Sequence, residues 1–455
     1  MPDTQKGLRT TAIVLLAFQL VMMILWGNLT TETFIEKEQF GEVYNMYLGV
    51  EFMIFFGFGY LMTFMSKYGL GAVGFTMMIA CIGIQYGILV EGFFKNVYHD
   101  SWGYVKVDMF SFMDSLHQIA AILISYGAVI GKVGSLQIVA LTLLEGFFYA
   151  LNKKMLLFDA VLDLLDAGGT ISIHMFGAFF GLAAAYMLGK LPADKAPAAS
   201  YVADMFSLIG TVFLWIYWPS FNGGALEPGS QEQQRAIANT ILGMCASTVG
   251  TFIVSILLHP EGKLRPVDVQ NATLAGGVGT GAVCHMTLNY ADSLMLGCFS
   301  GAASAFGFAL LQPWLEVKGL HDSCGVLNLH GIPALIGGLA SVVLTAVKGR
   351  RHSDTELLEH DGSQWQHQTY ALLLTLAISI SSGLFTGYIL KSLSGVQTFE
   401  YFEDSSFWEV AEEGEGDAVV SPAVPISATE KEYKALAMVD NPGVSKQDEV
   451  TLGST

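Results

Sequence analysis

Charged side chains are scarce in this chain, and positive ones most of all. Of 455 residues only 14 % are Asp, Glu, Lys or Arg, with 22 basic residues against 40 acidic ones. A nucleic-acid-binding domain presents a basic patch or stripe, and this composition does not supply one. We therefore expect no nucleic-acid partner.

Cysteine is also rare, and the spacings typical of metal or redox sites are missing. Five cysteines are an odd number, and most lie within apolar stretches, so we interpret them as packing residues rather than a disulfide framework. No HxxxH or CxxC spacing supplies the three or four ligands of a metal site. No nucleophile–base motif or phosphate loop is visible either. We expect no metal, no cofactor and no enzymatic activity.

Apolar residues are what the chain has in abundance. They make up 52 % of it, and the mean hydropathy is +0.49. This is typical of an all-α polytopic membrane protein, since a helix needs about 20 apolar residues to cross a bilayer. We predict twelve transmembrane helices, near residues 10–27, 44–66, 70–92, 107–130, 134–151, 169–190, 202–221, 236–258, 270–290, 293–315, 325–347 and 368–392.

Composition divides the chain in two. Residues 1–395 form the predicted transmembrane domain, whereas residues 396–455 hold 13 acidic and 3 basic residues. Such a polar segment is expected to be mostly disordered, apart from an aromatic first part that docks on the cytoplasmic face. We interpret the rest as an acidic cytoplasmic tail able to bind a partner.

Orientation rests on a sequon, because basic residues are almost equal on the two sides of the predicted spans. The acidic segment after the first span begins with Asn28-Leu29-Thr30, a glycosylation candidate that faces outward if it is used. The termini are then cytoplasmic. Inside the spans, Glu51 and Glu145 are interpreted as hydrogen-bond partners between helices, the alternative being a place in a vestibule.

Two apolar segments repeat each other, and both contain an Asp and a His. Counted from Asp166 and from Asp322, identical residues fall at offsets 0, 3, 8, 12 and 15. The histidines, His174 and His330, lie on the sixth and eleventh predicted spans. Five steps along an alternating topology reverse direction, so the pattern predicts a 5+5 inverted-topology repeat with one extra helix at each end and a central pore.

Ionisable residues inside membrane helices are functional candidates. Two neutral imidazoles can share one proton and still line a narrow apolar passage suited to a small polar neutral molecule, whereas a bare cation would lose its hydration there. A metal site and a proton relay are the alternatives for paired histidines. Asp166 and Asp322 begin their spans, where a carboxylate caps backbone N–H groups; drawing a cation to the pore is the second reading.

Six runs occur in order along the chain: 57–64 (GFGYLMTF), 127–132 (GAVIGK), 166–174 (DAGGTISIH), 215–222 (WIYWPSFN), 270–277 (QNATLAGG) and 327–333 (LNLHGIP). Over roughly residues 8–395 the chain resembles the ammonium transporter/Rhesus superfamily, specifically its Rh glycoprotein branch. The resemblance implies a plasma-membrane homotrimer with one pore per subunit. It implies a channel for ammonia or ammonium, with His174 and His330 as the twin histidines.

The resemblance also assigns a gate, and here the chain departs from the pattern. Phe221 matches one of two stacked gate phenylalanines, next to Trp218, but the other falls on His117 unless the alignment slips to Phe112. Ala225 stands where bacterial transporters carry a serine, which favours facilitated flow over high-affinity capture. The alternatives are a CO2 or methylamine conduit, with methylammonium as a substrate, and a non-transporting Rh-type sensor or membrane scaffold.

Overall fold

The computed structural model describes residues 2–98, 102–158, 162, 164–192, 197–286, 289–348 and 363–410. Its elements are helices, apart from two short paired strands. In a bilayer a helix satisfies every backbone N–H and C=O within its own segment, which is why long apolar runs fold this way. Among the described residues, eleven helices are long and apolar enough to cross a membrane. The prediction of an all-α multi-pass membrane protein is confirmed.

The helices follow the predicted order, and several extend beyond the predicted bounds because their polar ends are helical too. We label them α1 (Pro2–Leu29), α2 (Lys37–Phe64), α3 (Gly69–Tyr98), α4 (Met109–Val129), α5 (Ser135–Lys154), α6 (Thr170–Leu188), α7 (Tyr201–Gly223) and α8 (Gln231–Leu258), then α10 (Tyr290–Lys318), α11 (Leu327–Val347) and α12 (Gln364–Leu393). The strands are β1 (Thr30–Glu32) and β2 (Val105–Val107), which pair in parallel.

The predicted span at 270–290 is not one continuous helix. Its place is taken by α9, which consists of Pro266–Asn271, a 3-10 turn at Ala272–Leu274, and Ala275–Gly281. Glycine disfavours a helix but allows close approach, and α9 uses it for that purpose. A Cβ atom at Gly277 would overlap the indole of Trp218. The predicted length of this span as a helix was therefore wrong.

The two repeat segments begin at opposite ends of α4. Asp166 lines a cavity together with Asp114 and His117, which lie in the first half of α4. The N–H of Cys324, two residues after Asp322, donates to the carbonyl of Gly127 near the end of α4, at 3.1 Å. Because α6 and α11 start at opposite ends of one helix, they run antiparallel, and the predicted inverted repeat is confirmed.

A shared local geometry explains the residues that the repeat keeps. At offset 3, Gly169 and Gly325 both have positive φ, 65° and 71°, a region that glycine occupies without a Cβ penalty. Each glycine precedes a short π-helical turn, Thr170–Met175 and Leu327–Gly331, that carries the histidine. Single π turns inside α-helices are frequent at functional sites.

The two faces of the transmembrane domain can be told apart by what they hold. Thr4 Oγ1 donates to the carbonyl of Thr398, so the start of α1 and the segment after α12 share a face, which we call the inner face. The opposite end of α1 is followed by β1, which pairs with β2 ahead of α4. That side is the outer face. Among the described residues, the eleven long helices together with α9 make twelve segments, and this even number agrees with both ends lying on one face.

Residues 396–408 pack on the inner face, and we call them the strap. Asp404 accepts hydrogen bonds from the N–H groups of Leu70 and Gly71, which caps the start of α3. Phe402 is buried, and its N–H donates to the carbonyl of Gly131 at 3.1 Å. The compact unit runs to Trp408. Residues 411–455, including most of the predicted disordered tail, lie outside the described residues.

The two intramembrane glutamates find different partners. Glu145 Oε1 lies 2.5 Å from Ser125 Oγ, which joins α5 to α4 as predicted. Glu51 accepts from the hydroxyl of Tyr47 one turn earlier on its own helix, at 3.0 Å. The expectation of a partner on another helix was therefore wrong for Glu51. A tyrosine four residues earlier lies on the same face of a helix, and this satisfies the carboxylate locally.

Candidate functional site

The two repeat-equivalent histidines meet side by side. His174 Nδ1 lies 3.1 Å from His330 Nδ1, and the ring planes differ by only 9°. Both side chains are buried, with 1 % and 3 % of their residue surface exposed. Each histidine stands eight residues after its helix-capping Asp, so the two lie at equal depths from opposite ends. They therefore meet where the antiparallel helices α6 and α11 cross.

The Nδ1–Nδ1 contact fixes how protons are distributed over the pair. One ring must donate and the other accept, so two neutral imidazoles share a single proton between their Nδ1 atoms. The donating ring then has a lone pair on Nε2, and the accepting ring has an Nε2–H. His174 Nε2 has no hydrogen-bond partner among the described residues. The pair thus presents one donor and one acceptor.

Aromatic rings enclose the pair. The indole of Trp218 stacks against His174 with 5.6 Å between ring centroids, and Phe221 lies at the same distance in a tilted orientation. Phe58 lies against His330 at 6.3 Å. Only 1 % of Phe221 is exposed, which is inconsistent with a role as an aromatic anchor at the membrane surface. Trp218 lies beside the histidine and not at the pore mouth.

The side chain of α4 that packs on Phe221 is His117. The two rings meet edge to face with centroids 4.7 Å apart, and His117 Nε2 lies 3.2 Å from the carbonyl oxygen of Phe221. A carbonyl only accepts, so Nε2 carries the proton and the neutral ring keeps a lone pair on Nδ1. His117 therefore lies directly against Phe221, and its role as the second gate residue stays a prediction.

A cavity of about 430 Å³ opens on the outer side of His117 and Phe221. Its lining includes Asp114, His117, Lys153, Lys154, Asp166, Ser172, Ala225, Glu232 and His285. It combines carboxylates, lysines and histidines around the approach to the pair. We call it the outer vestibule.

Asp166 joins the vestibule to the histidine helix. Its carboxylate accepts from the N–H groups of Ile171 and Ser172 and from the hydroxyl of Ser172, at 2.8 to 3.2 Å. Asp322 accepts from Val326 and Leu327 at the equivalent place on the inner side, at 3.0 Å. Both therefore have the geometry of helix caps. Burial raises the pKa of Asp166 to about 7, although its hydrogen bonds act to lower that pKa.

A cluster of four charged side chains at the vestibule was not identified from the sequence. Lys153 and Lys154 pair with Asp114 at 2.9 and 3.1 Å and with Glu91 at 3.5 and 3.3 Å. The predicted span ends at residue 151, just before the two lysines. Helical structure continues through them, as a π-helical stretch over Leu151–Phe158. Acidic residues within two apolar spans, at 91 and 114, were the available signal.

Asn28 lies at the outer end of α1 and is exposed. Its amide Nδ2 donates to the carbonyl of Ile24 within the helix, at 2.7 Å. The sequon is thus on the same face as the outer vestibule. Among the residues that the structure describes, no group of three or more His, Cys, Asp and Glu side chains could hold a metal ion.

Comparison with known proteins places this geometry in a family. Residues 11–406 match the family model for the Ammonium Transporter Family. The chain is 36 % identical over 434 residues to ammonium transporter Rh type B of Danio rerio, covering 89 % of this chain and 93 % of that protein. It is 37 % identical over 396 residues to ammonium transporter Rh type A of Bos taurus, covering 86 % and 89 %.

Among solved structures, the fold is similar to that of Rh50 from Nitrosomonas europaea, described as one of the Rhesus protein family of channels. The TM-score is 0.70 at 28 % sequence identity, and the match covers 90 % of this chain and 98 % of that one. The chain therefore belongs to the ammonium transporter family, in its Rhesus branch.

Proposed function

We propose that this protein is a channel that conducts ammonia across the membrane, with His174 and His330 at the narrow point of its pore. The observation that carries the proposal is the 3.1 Å contact between the two buried imidazoles. The family of its relatives, which are named ammonium transporters, supports the substrate class.

The paired rings suit NH3 better than they suit an ion. Ammonia donates through its N–H bonds and accepts through its lone pair, so it matches one Nε2 lone pair and one Nε2–H. A bare cation between aromatic rings would lose its hydration, with an idealised cost of tens of kcal/mol. NH4+ therefore leaves its proton with the water on the outer side, as H3O+, and only NH3 passes the pair.

Recruitment takes place in the outer vestibule. The carboxyl groups of Asp166 and Glu232 line it, and the Nδ1 lone pair of His117 accepts an N–H from the arriving ammonium. Phe221 closes the path below it and excludes water, while its ring face attracts the cation. Ala225 offers no hydroxyl to fix the ion, so the vestibule favours facilitated flow over tight capture.

Further features extend the proposal. The protein works as a homotrimer with one pore in each subunit, in the plasma membrane. The inner face and both termini are cytoplasmic, and Asn28 carries a glycan on the outer face. The acidic segment after Trp408 binds a cytoplasmic partner. An enzymatic role has no place in this scheme.

Stopped-flow pH recording on proteoliposomes tests the proposal. An inward ammonium gradient should alkalinise the lumen faster than in empty liposomes. A CO2 gradient and a methylammonium gradient, applied to the same vesicles, test the two other conduits. A CO2 response without an ammonium response would replace ammonia by CO2. Rates equal to those of empty liposomes in all three arms would point to the sensor or scaffold reading.

A further inference from the structure

We propose that the ε-ammonium group of Lys153 occupies a cation site in the outer vestibule, formed by Asp114, Glu91 and Tyr149, and so keeps substrate ammonium out of it. The inference rests on the proposed function, because it concerns the same vestibule and the same substrate. It makes Lys153 a determinant of the apparent affinity for ammonium.

The ammonium group of Lys153 is surrounded by the groups that bind a small cation. Its Nζ lies 2.9 Å from Asp114 Oδ1 and 3.5 Å from Glu91 Oε2. It also lies over the ring of Tyr149, 5.8 Å from the centroid, within the range of a cation–π interaction. Only 12 % of the lysine side chain is exposed. Two carboxylates, which Lys154 shares, and an aromatic face thus surround the ammonium group of Lys153.

A lysine ammonium has the chemistry of the substrate. It is a primary alkylammonium with three N–H donors and one positive charge, the same group as methylammonium. Any site that accepts this group in its present geometry offers the same partners to a free primary ammonium. The difference is that the lysine is tethered and is always present beside the site.

Charge balance explains why the cluster does not bind substrate ammonium while Lys153 is present. With both lysines present, the four side chains Glu91, Asp114, Lys153 and Lys154 carry no net charge. Removal of Lys153 leaves Lys154 to balance two carboxylates, so the cluster gains one negative charge beside a vacated space. The other charged and titratable groups that line this vestibule are Asp166, Glu232, His117 and His285.

Position gives the site its effect on transport. Asp114, Tyr149 and Lys153 line the same cavity as His117, which packs on Phe221 above the histidine pair. A cation held by Asp114 would stand at the approach to the pore and raise the local concentration of substrate. With Lys153 in place, that concentration stays low and the apparent affinity stays weak.

The test compares Lys153→Met with Lys153→Arg in proteoliposomes, using the ammonium concentration that gives half-maximal flux. Methionine keeps the apolar stem but removes the charge, and we expect this concentration to fall roughly fivefold, which corresponds to about 1 kcal/mol. Arginine keeps a cation between the carboxylates, so its value should stay at that of the wild type. An unchanged or higher concentration in Lys153→Met would overturn the proposal.

A binding measurement separates this inference from the conduction proposal and covers a variant that folds poorly. In detergent, methylammonium should restore the melting temperature of Lys153→Met, because it fills the vacated site. Tetramethylammonium, a cation without N–H donors, should not. Equal effects of the two cations, or none, would refute the site. Rescue by methylammonium in a protein that conducts nothing would uphold the site and reject the channel.

Discussion

Glu145 should carry a proton in the folded protein, and this can be read from a count of hydrogens. Its Oε1 lies 2.5 Å from Ser125 Oγ, and the same Oγ lies 2.7 Å from the carbonyl oxygen of Gly177. A serine hydroxyl has one hydrogen and cannot donate to both oxygens. If Glu145 were ionised, one of these two oxygen–oxygen contacts would have no hydrogen between its atoms. The carboxyl group of Glu145 must therefore donate to Ser125 Oγ, which donates in turn to the carbonyl oxygen of Gly177.

The substitution Glu145→Gln tests this directly. Glutamine has nearly the same shape and offers an amide N–H in place of the carboxyl O–H, so we expect a change within about 1 kcal/mol in the free energy of unfolding. Ser125→Ala should cost about 1 to 3 kcal/mol, because a fully buried carboxyl group loses its partner. Ser125 also ties α4 to Gly177, three residues after His174, so its loss should slow ammonia flux as well.

Unfolding in mixed micelles, titrated with sodium dodecyl sulfate, gives the free energies. Thr142→Val is the matched control, because Thr142 is equally buried on α5 but its hydroxyl donates to the carbonyl of Ile138 on its own helix. A loss of more than about 3 kcal/mol in Glu145→Gln would refute the reasoning, since that is the cost of breaking a buried charge pair. A large gain would refute it too, by showing that an unpaired charge had been removed.

Other predictions address the caps and turns around the pore. Replacing Gly169 or Gly325 by Ala should destabilise the protein by roughly 1 to 3 kcal/mol, because both glycines have positive φ. Gly27→Ala is the control and should not destabilise it, because Gly27 has open space around it. The same micelle titration measures all three variants. Folding raises the pKa of Asp166 from its ordinary value of 3.8 to about 7, so between these values the folded state binds a proton that the unfolded state does not. The free energy of unfolding therefore falls as the pH rises through that interval. Asp166→Asn should flatten this dependence, which can be followed as the melting temperature against pH. Asp404→Ala removes the cap on α3, which should lower the free energy of unfolding by about 1 kcal/mol and let a protease cleave the strap faster. An unchanged cleavage rate would mean that the aromatic contacts alone hold the strap in place.

The sequence allowed much of the fold to be predicted, because the physical rules involved are local. Helices follow from apolar length, and the inverted repeat follows from two residue types that are expensive to bury, at His174 and His330. Gly169 and Gly325 were visible as matches, but their reason, a left-handed turn before the histidine, appeared only in the structure. The parity of the spans then gave the antiparallel crossing.

What could not be predicted depends on contacts between distant segments. The ion pairs of Lys153 were not predicted, because its partners, Glu91 and Asp114, lie on two other helices. Docking of the strap on the cytoplasmic face was predicted, but the cap that Asp404 forms on α3 was not. The interruption of α9 depends on neighbours such as Trp218 that require glycine at close approach. Composition records none of these partners.

The histidine pair is tested most directly by ammonia flux through His174→Ala, His330→Ala and the double variant in proteoliposomes. Because the two rings share one proton, we expect either substitution alone to remove most of the flux while the protein still assembles. The double variant should lose little more than either single one. Full flux in the double variant would show that conduction does not depend on the histidine pair.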